Sequence, residues 1–509
     1  MTRLRLALTG VLAAVAGIAV GHLVAAFLAP SASPVLAIGS TVIDLTPTPL
    51  KEWAIAHFGT NDKLVLQGSV VVVTLALAAV AGILSRTRRW VGVTLISALV
   101  VLAGLAAATR PAFRPVDLLP AVATLVVGVA TLLFLRSRAL AASRPVADTV
   151  QSTGRPDAGP SRRGFVLASV GVAVAAGLVA TAGQVRIGAQ RVRSLVLPRP
   201  ASPAEALPTG LDRTVAGISP LQTPTADFYR VDTNLTVPQV DVDTWTLEVD
   251  GMVENPFTLT FAELSAMPLI ERDITMTCVS NEVGGGYVGA ARWLGVRLTD
   301  VLGRAGLRGR PDQVLSTAVD GFTISTPLSV VQDGRDAMIA IGMNGQSLTD
   351  VHGFPARLIT PGLYGFVGAT KWLTKLTLTT YAQDQAYWTQ RQWVTDAPIK
   401  TSARIDTPAP LSTIKAGRTA IGGVAWAQHR GVGKVEVQID GGDWQQTRLG
   451  PDVGIDYWRQ WYLPWDAKPG LHRIAVRAVD REGQVQSSER ATPFPSGASG
   501  IQEVVVTVA

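Results

Sequence analysis

The 509-residue chain contains a single cysteine, Cys278. One cysteine cannot form a disulfide within the chain, so cysteine usage does not reveal the redox compartment. It also excludes an iron–sulfur cluster held by this chain's thiolates, because such a cluster needs several of them. No Cys-x-x-Cys-His sequence for covalent haem attachment is present. The one thiol is either a small buried hydrophobe or a ligand for a soft metal ion.

Charged side chains are also scarce. They make up 16% of the residues, against about 25% in typical soluble domains. The deficit lies mostly in the first third of the chain, which indicates a membrane region. The formal net charge of +7 arises largely from arginines beside apolar stretches, where membrane topology accounts for them. We therefore expect no nucleic-acid partner.

Residues 1–183 hold five long apolar stretches, each near the ~20 residues that cross a bilayer core. The stretches are residues 6–28, 64–84, 90–108, 118–135 and 165–183. Arginines cluster before the first, between the second and third, and between the fourth and fifth. These places share one side if all the stretches span, and that side should be cytoplasmic. The sequence thus predicts a multi-pass cell-membrane protein whose remaining residues are extracytoplasmic.

Two segments flank the fifth apolar stretch. Ser161-Arg162-Arg163-Gly164-Phe165-Val166-Leu167 is similar to a twin-arginine signal, which would export a domain that is already folded. The alternative is a pair of ordinary arginines that set topology. After the stretch, residues 184–225 are rich in proline, alanine and threonine, a composition that predicts an extended tether.

The cysteine lies in a distinctive stretch. A β-type run over residues 274–277 precedes it, and the glycine-rich residues 284–286 follow. Glycine there lets the backbone approach a bulky ligand closely. Apolar spacing from Leu294 to Leu302 predicts a helix after the loop. From these residues alone, a structural cysteine explains the pattern as well as a metal ligand does.

Two further blocks change that balance. Residues 291–298 read Ala-Arg-Trp-Leu-Gly-Val-Arg-Leu, and residues 352–365 begin His-Gly-Phe-Pro-Ala-Arg and end Tyr-Gly. Lys371-Trp372-Leu373 follows the second block. Together with the cysteine loop, these ordered motifs resemble the molybdenum-cofactor domain of the sulfite oxidase family, over roughly residues 225–509. The resemblance implies a molybdopterin cofactor that carries molybdenum.

The resemblance also implies roles for particular residues. Cys278 is the expected metal ligand and a catalytic residue, and Asn281 is a second catalytic candidate. An anionic cofactor tail needs fixed cations, and arginine offers a planar fork where lysine offers a point charge. The residues expected to bind the cofactor are Tyr229, Arg230, Asp232, Thr233, His352, Arg357 and Lys371.

One departure from the family concerns the substrate. Sulfite oxidases carry arginine shortly after the metal cysteine, whereas this chain has Val279-Ser280-Asn281-Glu282-Val283. An acid in that place disfavours anionic sulfite. We expect oxygen-atom transfer on a small sulfur- or nitrogen-containing substrate. The alternatives are a sulfoxide-type reductase and a catalytically silent envelope scaffold. Electrons would pass to or from a separate partner, either a haem protein or a quinone-linked carrier.

The predicted architecture has three folded parts and one linker. An α-helical transmembrane region (residues 1–183) and the linker (184–225) precede an α+β sulfite-oxidase-like molybdopterin domain (226–395). Residues 396–509 show short alternating strands separated by turns, which favour an all-β Ig-like sandwich. Its tryptophans are expected in the core. In the resembling family such a domain mediates dimers, so a homodimer is possible.

Overall fold

The computed structural model describes residues 2–47, 50, 53–54, 57–58, 62–141, 162–189 and 195–509. The chain divides into two compact units. The helical unit comprises Met1–Arg191 with Thr233–Val237, and the β-rich unit comprises Val192–Asp232 with Pro238–Ala509.

Long apolar helices build the helical unit. Its described helices are α1 (Thr2–Leu28), α2 (Pro34–Leu45), α3 (Asp62–Leu84), α4 (Arg89–Ala108), α5 (Leu119–Ala141) and α6 (Arg162–Ala189). All except α2 contain a segment long and apolar enough to cross a bilayer, and these five segments coincide with the predicted stretches. The 12-residue α2, which the sequence pattern does not predict, is too short to span. Ser161 of the twin-arginine-like motif lies outside the described residues.

Glycine permits the close helix contacts in this unit. Gly10 of α1 faces Gly82 of α3, and a β-carbon at either position would collide with the backbone of the other helix. Gly17 of α1 lies against the backbone of α5 near Gly128. Small residues that let backbones approach are typical of helix interfaces within membranes. The packing of the unit therefore agrees with its apolar composition.

The first part of the β-rich unit contains ten strands among its described residues, with short helices between them. The strands are β1 (Thr246–Gly251), β2 (Phe257–Thr260), β3 (Leu269–Thr277), β4 (Val288–Arg297), β5 (Gln313–Ala318), β6 (Thr323–Pro327), β7 (Met338–Met343), β8 (Gln346–Ser347), β9 (Arg357–Ile359) and β10 (Leu373–Thr379). The helices are α7 (Phe261–Ala266), α8 (Leu298–Ala305), α9 (Leu328–Val331) and α10 (Gly365–Gly368).

These strands form two sheets around one core. One sheet has the order β2-β1-β10-β5-β6, and the other has the order β3-β4-β7-β8 with β9 also paired to β7. Leu247 and Leu376 of the first sheet meet Val296 and Ile339 of the second in a shared apolar cluster. The predicted strand before Cys278 is the end of β3. Cys278 is therefore the first residue after β3 and lies at the edge of the sheet where that strand ends.

The helix predicted from Leu294 onward begins later than expected. Leu294 lies in β4, and α8 begins at Leu298. β4 pairs with β3 on one side and with β7 on the other, so its near-continuous apolar run is that of a central, buried strand. Periodicity alone does not separate such a run from a buried helix.

Residues from 402 onward form two sheets that pack together. Their strands are β11 (Ser402–Thr407), β12 (Thr413–Ile414), β13 (Gly417–Trp426), β14 (Val432–Ile439), β15 (Gln445–Gln446), β16 (Arg448–Leu449), β17 (Arg459–Ala467), β18 (Gly470–Asp480) and β19 (Gln502–Val508). The sheet orders are β11-β13-β17-β16 and β12-β19-β18-β14-β15. Trp461 and Ile421 of one sheet share a core with Val435 and Val476 of the other. The sequence pattern misses β11, because only Ala403 and Ile405 alternate inward there.

A segment before β1 is fastened along the β-rich unit. We call residues 195–232 the strap. The Ala201 N–H donates to the Leu269 carbonyl (2.8 Å), and the Thr223 N–H donates to the Ala290 carbonyl (2.8 Å). The side-chain amide of Asn344 donates to the Thr223 carbonyl (3.0 Å). Proline-rich composition predicts an extended tether, whereas the strap contains turns and the 3-10 helix Leu211–Arg213. The strap is also hydrogen-bonded to the strands that it crosses.

Candidate active site

Cys278 begins a tightly closed loop between β3 and β4. Its N–H donates to the Tyr287 carbonyl (2.9 Å), and its own carbonyl accepts from the Asn281 N–H (3.0 Å). The Ser280 N–H points at Sγ of Cys278 at 3.4 Å. The cysteine is 8% exposed, and burial raises the pKa of its thiol. The thiol therefore stays protonated at neutral pH unless a cation stabilises the thiolate.

Asn281 closes the same loop from within. Its side-chain Oδ1 accepts from the Tyr287 N–H at 2.8 Å, and the residue is buried. The side-chain oxygen is therefore engaged in holding the two ends of the loop together. The catalytic role expected for Asn281 stays a prediction.

Arg357 is a buried guanidinium with free donor capacity. It lies at the start of β9 and is 5% exposed. One Nη donates to the His352 carbonyl (3.2 Å), and the guanidinium lies 5.3 Å from the centre of the Trp293 ring. Its Nε is buried without a hydrogen-bond partner among the described residues. Burial lowers the pKa of Arg357 to about 10, so an anion placed beside it would be strongly stabilised.

Lys371 and Arg230 share one carboxylate. The Lys371 ammonium donates to Asp232 (2.8 Å) and to the Val351 carbonyl (3.3 Å). Arg230 donates to the same Asp232 oxygen at 2.8 Å. Burial lowers the pKa of Lys371 to about 8, although Asp232 opposes the shift. We call Arg230, Asp232, Arg357 and Lys371 the cation cluster: three cations and one carboxylate leave two positive charges for a ligand.

His352 lies beside the cation cluster, and its carbonyl accepts a hydrogen bond from Arg357. It ends a short helical turn and is 3% exposed. Its Nε2 lies 3.0 Å from the Thr225 carbonyl, which can only accept, so Nε2 carries the proton. Burial and the neighbouring cations lower the pKa of His352 to about 4. His352 is therefore a neutral hydrogen-bonding group, and Nδ1 is available as an acceptor.

Gly353 allows these groups to meet. Its φ of +103° lies in the left-handed region, and a β-carbon there would come within 3.0 Å of the Lys371 backbone. The Trp372 N–H donates to the Gly353 carbonyl at 3.4 Å. A glycine at this turn thus brings the chain after His352 against the chain that carries Lys371.

Tyr229 connects the cation cluster to the cysteine. Its ring stacks on Phe228 with centroids 5.2 Å apart, and Phe228 in turn meets the edge of His352 at 5.6 Å. Burial raises the pKa of the Tyr229 phenol, a charge on Cys278 raises it further, and Arg357 opposes both. The Tyr229 ring also lies 6.4 Å from the ring of Tyr287, whose carbonyl accepts from the Cys278 N–H. The thiol and the cation cluster therefore lie within one site.

Most of the predicted site residues come together here, and two groups need comment. Thr233 directly follows Asp232 and groups with the helical unit as part of the segment Thr233–Val237, and its expected contact with the cofactor stays a prediction. Asn344, which sequence reasoning missed, holds the strap at Thr223 and donates to Thr225 (3.1 Å). The Asn-Gly pair at 344–345 is a hairpin signal, but nothing in it indicates contact with a strap more than a hundred residues away.

The residues fit a molybdenum cofactor. A buried arginine with an unused donor and two uncompensated positive charges suit an anionic tail, and a thiol in the same site suits a soft metal. These features are those expected of a site for an anionic, metal-carrying cofactor in the β-rich unit.

Comparisons with known proteins agree. Residues 234–388 match the family described as the oxidoreductase molybdopterin binding domain. Mitochondrial sulfite oxidase of Rattus norvegicus is 30% identical over 315 residues, which cover 52% of this chain and 57% of that one. Nitrate reductase [NADH] 1 of Oryza sativa subsp. japonica is 27% identical over 329 residues, 52% of this chain and 36% of that one.

A solved structure shares the fold. The sulfane dehydrogenase SoxCD from Paracoccus pantotrophus superposes with a TM-score of 0.50 at 24% identity, over 57% of this chain and 83% of that one. The β-rich unit therefore carries a molybdopterin-binding oxidoreductase domain of the sulfite oxidase type. The chain spans little more than half the length of the sulfite oxidase and about a third of the nitrate reductase.

The depressed pKa of His352 predicts how stability varies with pH. Between pH 6.5 and about 4 the unfolded chain binds a proton on His352 that the folded protein does not. Stability should therefore fall as the pH drops through this window, by up to about 3 kcal/mol for the cofactor-free protein. Denaturant unfolding of wild type and His352→Gln at several pH values measures this, and the stability of the variant should fall less than that of wild type over the same window.

His472 is the matched control for that experiment. Asp440 raises the pKa of His472, so its stabilisation is present at low pH and is lost as the pH rises through the folded pKa. His472→Gln should alter the pH profile with the opposite sign. An identical profile for wild type and His352→Gln would contradict the neutral, buried assignment.

Proposed function

We propose that this protein performs oxygen-atom transfer on a small sulfur- or nitrogen-containing compound. The observation that carries the proposal is the meeting of Cys278, Tyr229 and the cation cluster in one site. When bound, the molybdenum cofactor supplies the two-electron redox chemistry. The rest of the proposal assigns tasks to this chain's own residues.

Cys278 would give the thiolate ligand to the metal, and the Ser280 N–H beside its sulfur would tune the thiolate. Arg357 and Lys371 would hold the anionic cofactor tail, and Asp232 would keep Lys371 and Arg230 in place. Neutral His352 would donate from Nε2 to the Thr225 carbonyl and offer Nδ1 to the cofactor. These tasks agree with the charge and burial of each group.

The cysteine loop supports a neutral or weakly charged substrate. Ser280 and Glu282 are exposed on the loop, whereas Val279 is buried in an apolar cluster with Tyr364. No residue from 279 to 283 supplies a positive charge for sulfite. Oxidation of a neutral sulfur compound is the function we favour, and reduction of a sulfoxide-type substrate is the second candidate, supported by the same loop. The silent-scaffold alternative leaves the cation cluster unexplained.

Metal analysis of the full chain purified from its own membranes tests the proposal. We expect about one molybdenum and one pterin for each protein, and slow or absent turnover of sulfite compared with neutral sulfoxides or sulfides. A folded protein that contains neither molybdenum nor pterin would return the chain to the scaffold interpretation. Rapid sulfite turnover would overturn the substrate assignment and leave the cofactor assignment intact.

The proposed setting is the cell membrane. The five apolar segments would anchor the protein, with the β-rich unit on the extracytoplasmic side as the arginine positions require. The C-terminal pair of packed sheets supports an Ig-like domain, which we propose mediates a homodimer. Electrons would pass to a separate haem protein or quinone-linked carrier.

The twin-arginine proposal has a charge-conserving test. Arg162→Lys combined with Arg163→Lys should abolish export of the β-rich unit, because the signal requires arginine rather than positive charge. A reporter fused after residue 509 measures export. The pair Arg88→Lys with Arg89→Lys, between the second and third apolar stretches, is the matched control and should export normally. Normal export of both doubles would leave Arg162 and Arg163 as ordinary topology determinants.

A further inference from the structure

The glycine loop after Cys278 is held by the C-terminal sheets. Arg404 of β11 donates from Nη1 to the Gly285 carbonyl at 3.1 Å. Gln502 of β19 packs against Gly284, where a β-carbon would lie 2.6 Å from Nε2 of Gln502. The Gln502 side-chain oxygen accepts from the Ile405 N–H at 2.6 Å, which ties it to β11. Two side chains from outside the molybdopterin domain, Arg404 and Gln502, therefore hold the glycine-rich end of the loop in place.

All three nitrogens of the Arg404 guanidinium donate hydrogen bonds. Its Nε donates to Asp406 (2.6 Å), and its Nη2 donates to the Ser219 hydroxyl of the strap (2.8 Å). Asp406 also accepts from the Ser219 N–H at 2.9 Å. The arginine side chain is 13% exposed, so these bonds are little screened by water. A single guanidinium thus joins the glycine loop, the strap and β11, a geometry that lysine cannot reproduce.

Hydrogen bonds within the loop connect Gly285 to the turn that carries Cys278. The Gly285 N–H donates to the Glu282 carbonyl (2.9 Å), and the Asn281 N–H donates to the Cys278 carbonyl (3.0 Å). The Ser280 N–H lies on the same turn, 3.4 Å from the Cys278 sulfur. Movement of Gly285 would therefore change how the turn presents the sulfur and its hydrogen-bond donor. Donors to a ligating sulfur tune the metal that it binds.

We propose that Arg404 and Gln502 are positioning residues that fix the loop carrying the metal-ligating thiolate. This inference rests on the proposed function, because it assigns Cys278 as the ligand. The C-terminal sheets then have a task inside each protomer that does not depend on dimer formation. Loosening the grip should expose the thiol in the cofactor-free chain and alter the metal's environment in the loaded enzyme.

The single cysteine makes the first effect directly measurable. Alkylation by iodoacetamide can label only Cys278 in the full-length, cofactor-free chain. Arg404→Met should raise the labelling rate by about tenfold, equivalent to about 1.4 kcal/mol of local stability. Arg404→Lys should not restore the wild-type rate, because one ammonium cannot reach three acceptors. Arg418→Met, an exposed arginine of β13, is the matched control and should label like wild type.

Local opening must be separated from global unfolding. Labelling through the loosened loop should change little with low concentrations of denaturant, whereas labelling through global unfolding should rise steeply. Several pH values separate a change of thiolate fraction from a change of access. If Arg404→Met fails to fold, Gln502→Ala removes the second contact instead. Its Cys278 labelling rate should also exceed that of wild type, by less than the increase expected for Arg404→Met. Equal labelling of wild type and both variants overturns the inference.

The loaded enzyme provides the second readout. Arg404→Met should keep its molybdenum but shift the electron paramagnetic resonance signal and the reduction potential of the metal, while Arg418→Met shifts neither. Wild type without molybdenum would refute the proposed function. The labelling experiment would then still show whether Arg404 and Gln502 hold the cysteine loop in place. Wild type with molybdenum and an unchanged signal in Arg404→Met would refute this inference only.

Discussion

Cys278→Ser should eliminate turnover while the protein still folds. Loss of an outer-shell partner of a metal ligand typically reduces activity about 10–100-fold, so loss of the ligand itself should reduce it at least about a thousandfold. X-ray absorption at the molybdenum edge should show one sulfur neighbour fewer than in wild type. Serine is close to cysteine in size, so the cofactor-free variant should unfold within a few kcal/mol of wild type.

Met276→Leu is the control for Cys278→Ser. Met276 is buried on the strand that leads to the cysteine, and a volume-conserving change there should lower stability by less than about 1.5 kcal/mol. Its metal content and turnover should resemble wild type. Full activity in Cys278→Ser would remove the thiolate from the proposed chemistry, and the cysteine would then be a structural residue.

Arg357→Met should prevent cofactor retention. The buried guanidinium offers charge-assisted donors, each worth about 1.5–3 kcal/mol, so affinity should fall at least about a hundredfold when two are lost. The cofactor-free variant should be as stable as wild type or more so, because burial without an anion disfavours the charged arginine. Pterin content after purification and thermal unfolding without cofactor measure the two effects.

These two measurements distinguish a binding role from a structural one. A structural arginine would lower the unfolding temperature when replaced, whereas a cofactor-binding arginine with unused donors should not. Arg357→Lys keeps the charge but loses the fork, so its pterin content should lie between wild type and Arg357→Met. Arg418→Met should retain normal pterin. Normal pterin in Arg357→Met would shift the anion site to Lys371 and Arg230.

The sequence predicts the helical stretches and the cysteine strand well because each depends on local pattern. Length and apolar composition suffice to predict the membrane-type helices. The strand predicted over residues 274–277 is the last part of the longer strand β3 (Leu269–Thr277). Leu294 shows the limit of that reasoning. Its spacing suits a helix, but hydrogen bonding to two neighbouring strands decides its conformation, and those partners are distant in sequence.

The site divides in the same way. Motifs locate Cys278, His352, Arg357 and Lys371, since each belongs to a recognisable block. The contacts that organise them, from Asn344 to the strap and from Arg404 to the glycine loop, cross more than a hundred residues. Neither Asn344 nor Arg404 lies in one of the blocks that point to the cofactor site, so only the fold reveals which segments these residues hold.

The strap determines where this protein can be divided. The matched family region begins at residue 234, but Thr225, Tyr229 and Asp232 lie before it. Thr225 contacts His352, Tyr229 lies beside Tyr287 of the cysteine loop, and Asp232 pairs with Lys371. A fragment cut at the family boundary would keep its sheets but lose the partners that Thr225, Tyr229 and Asp232 supply to the candidate site. A shortened version without the apolar helices should therefore begin near residue 195, so that it keeps the whole strap and the site residues that the strap carries.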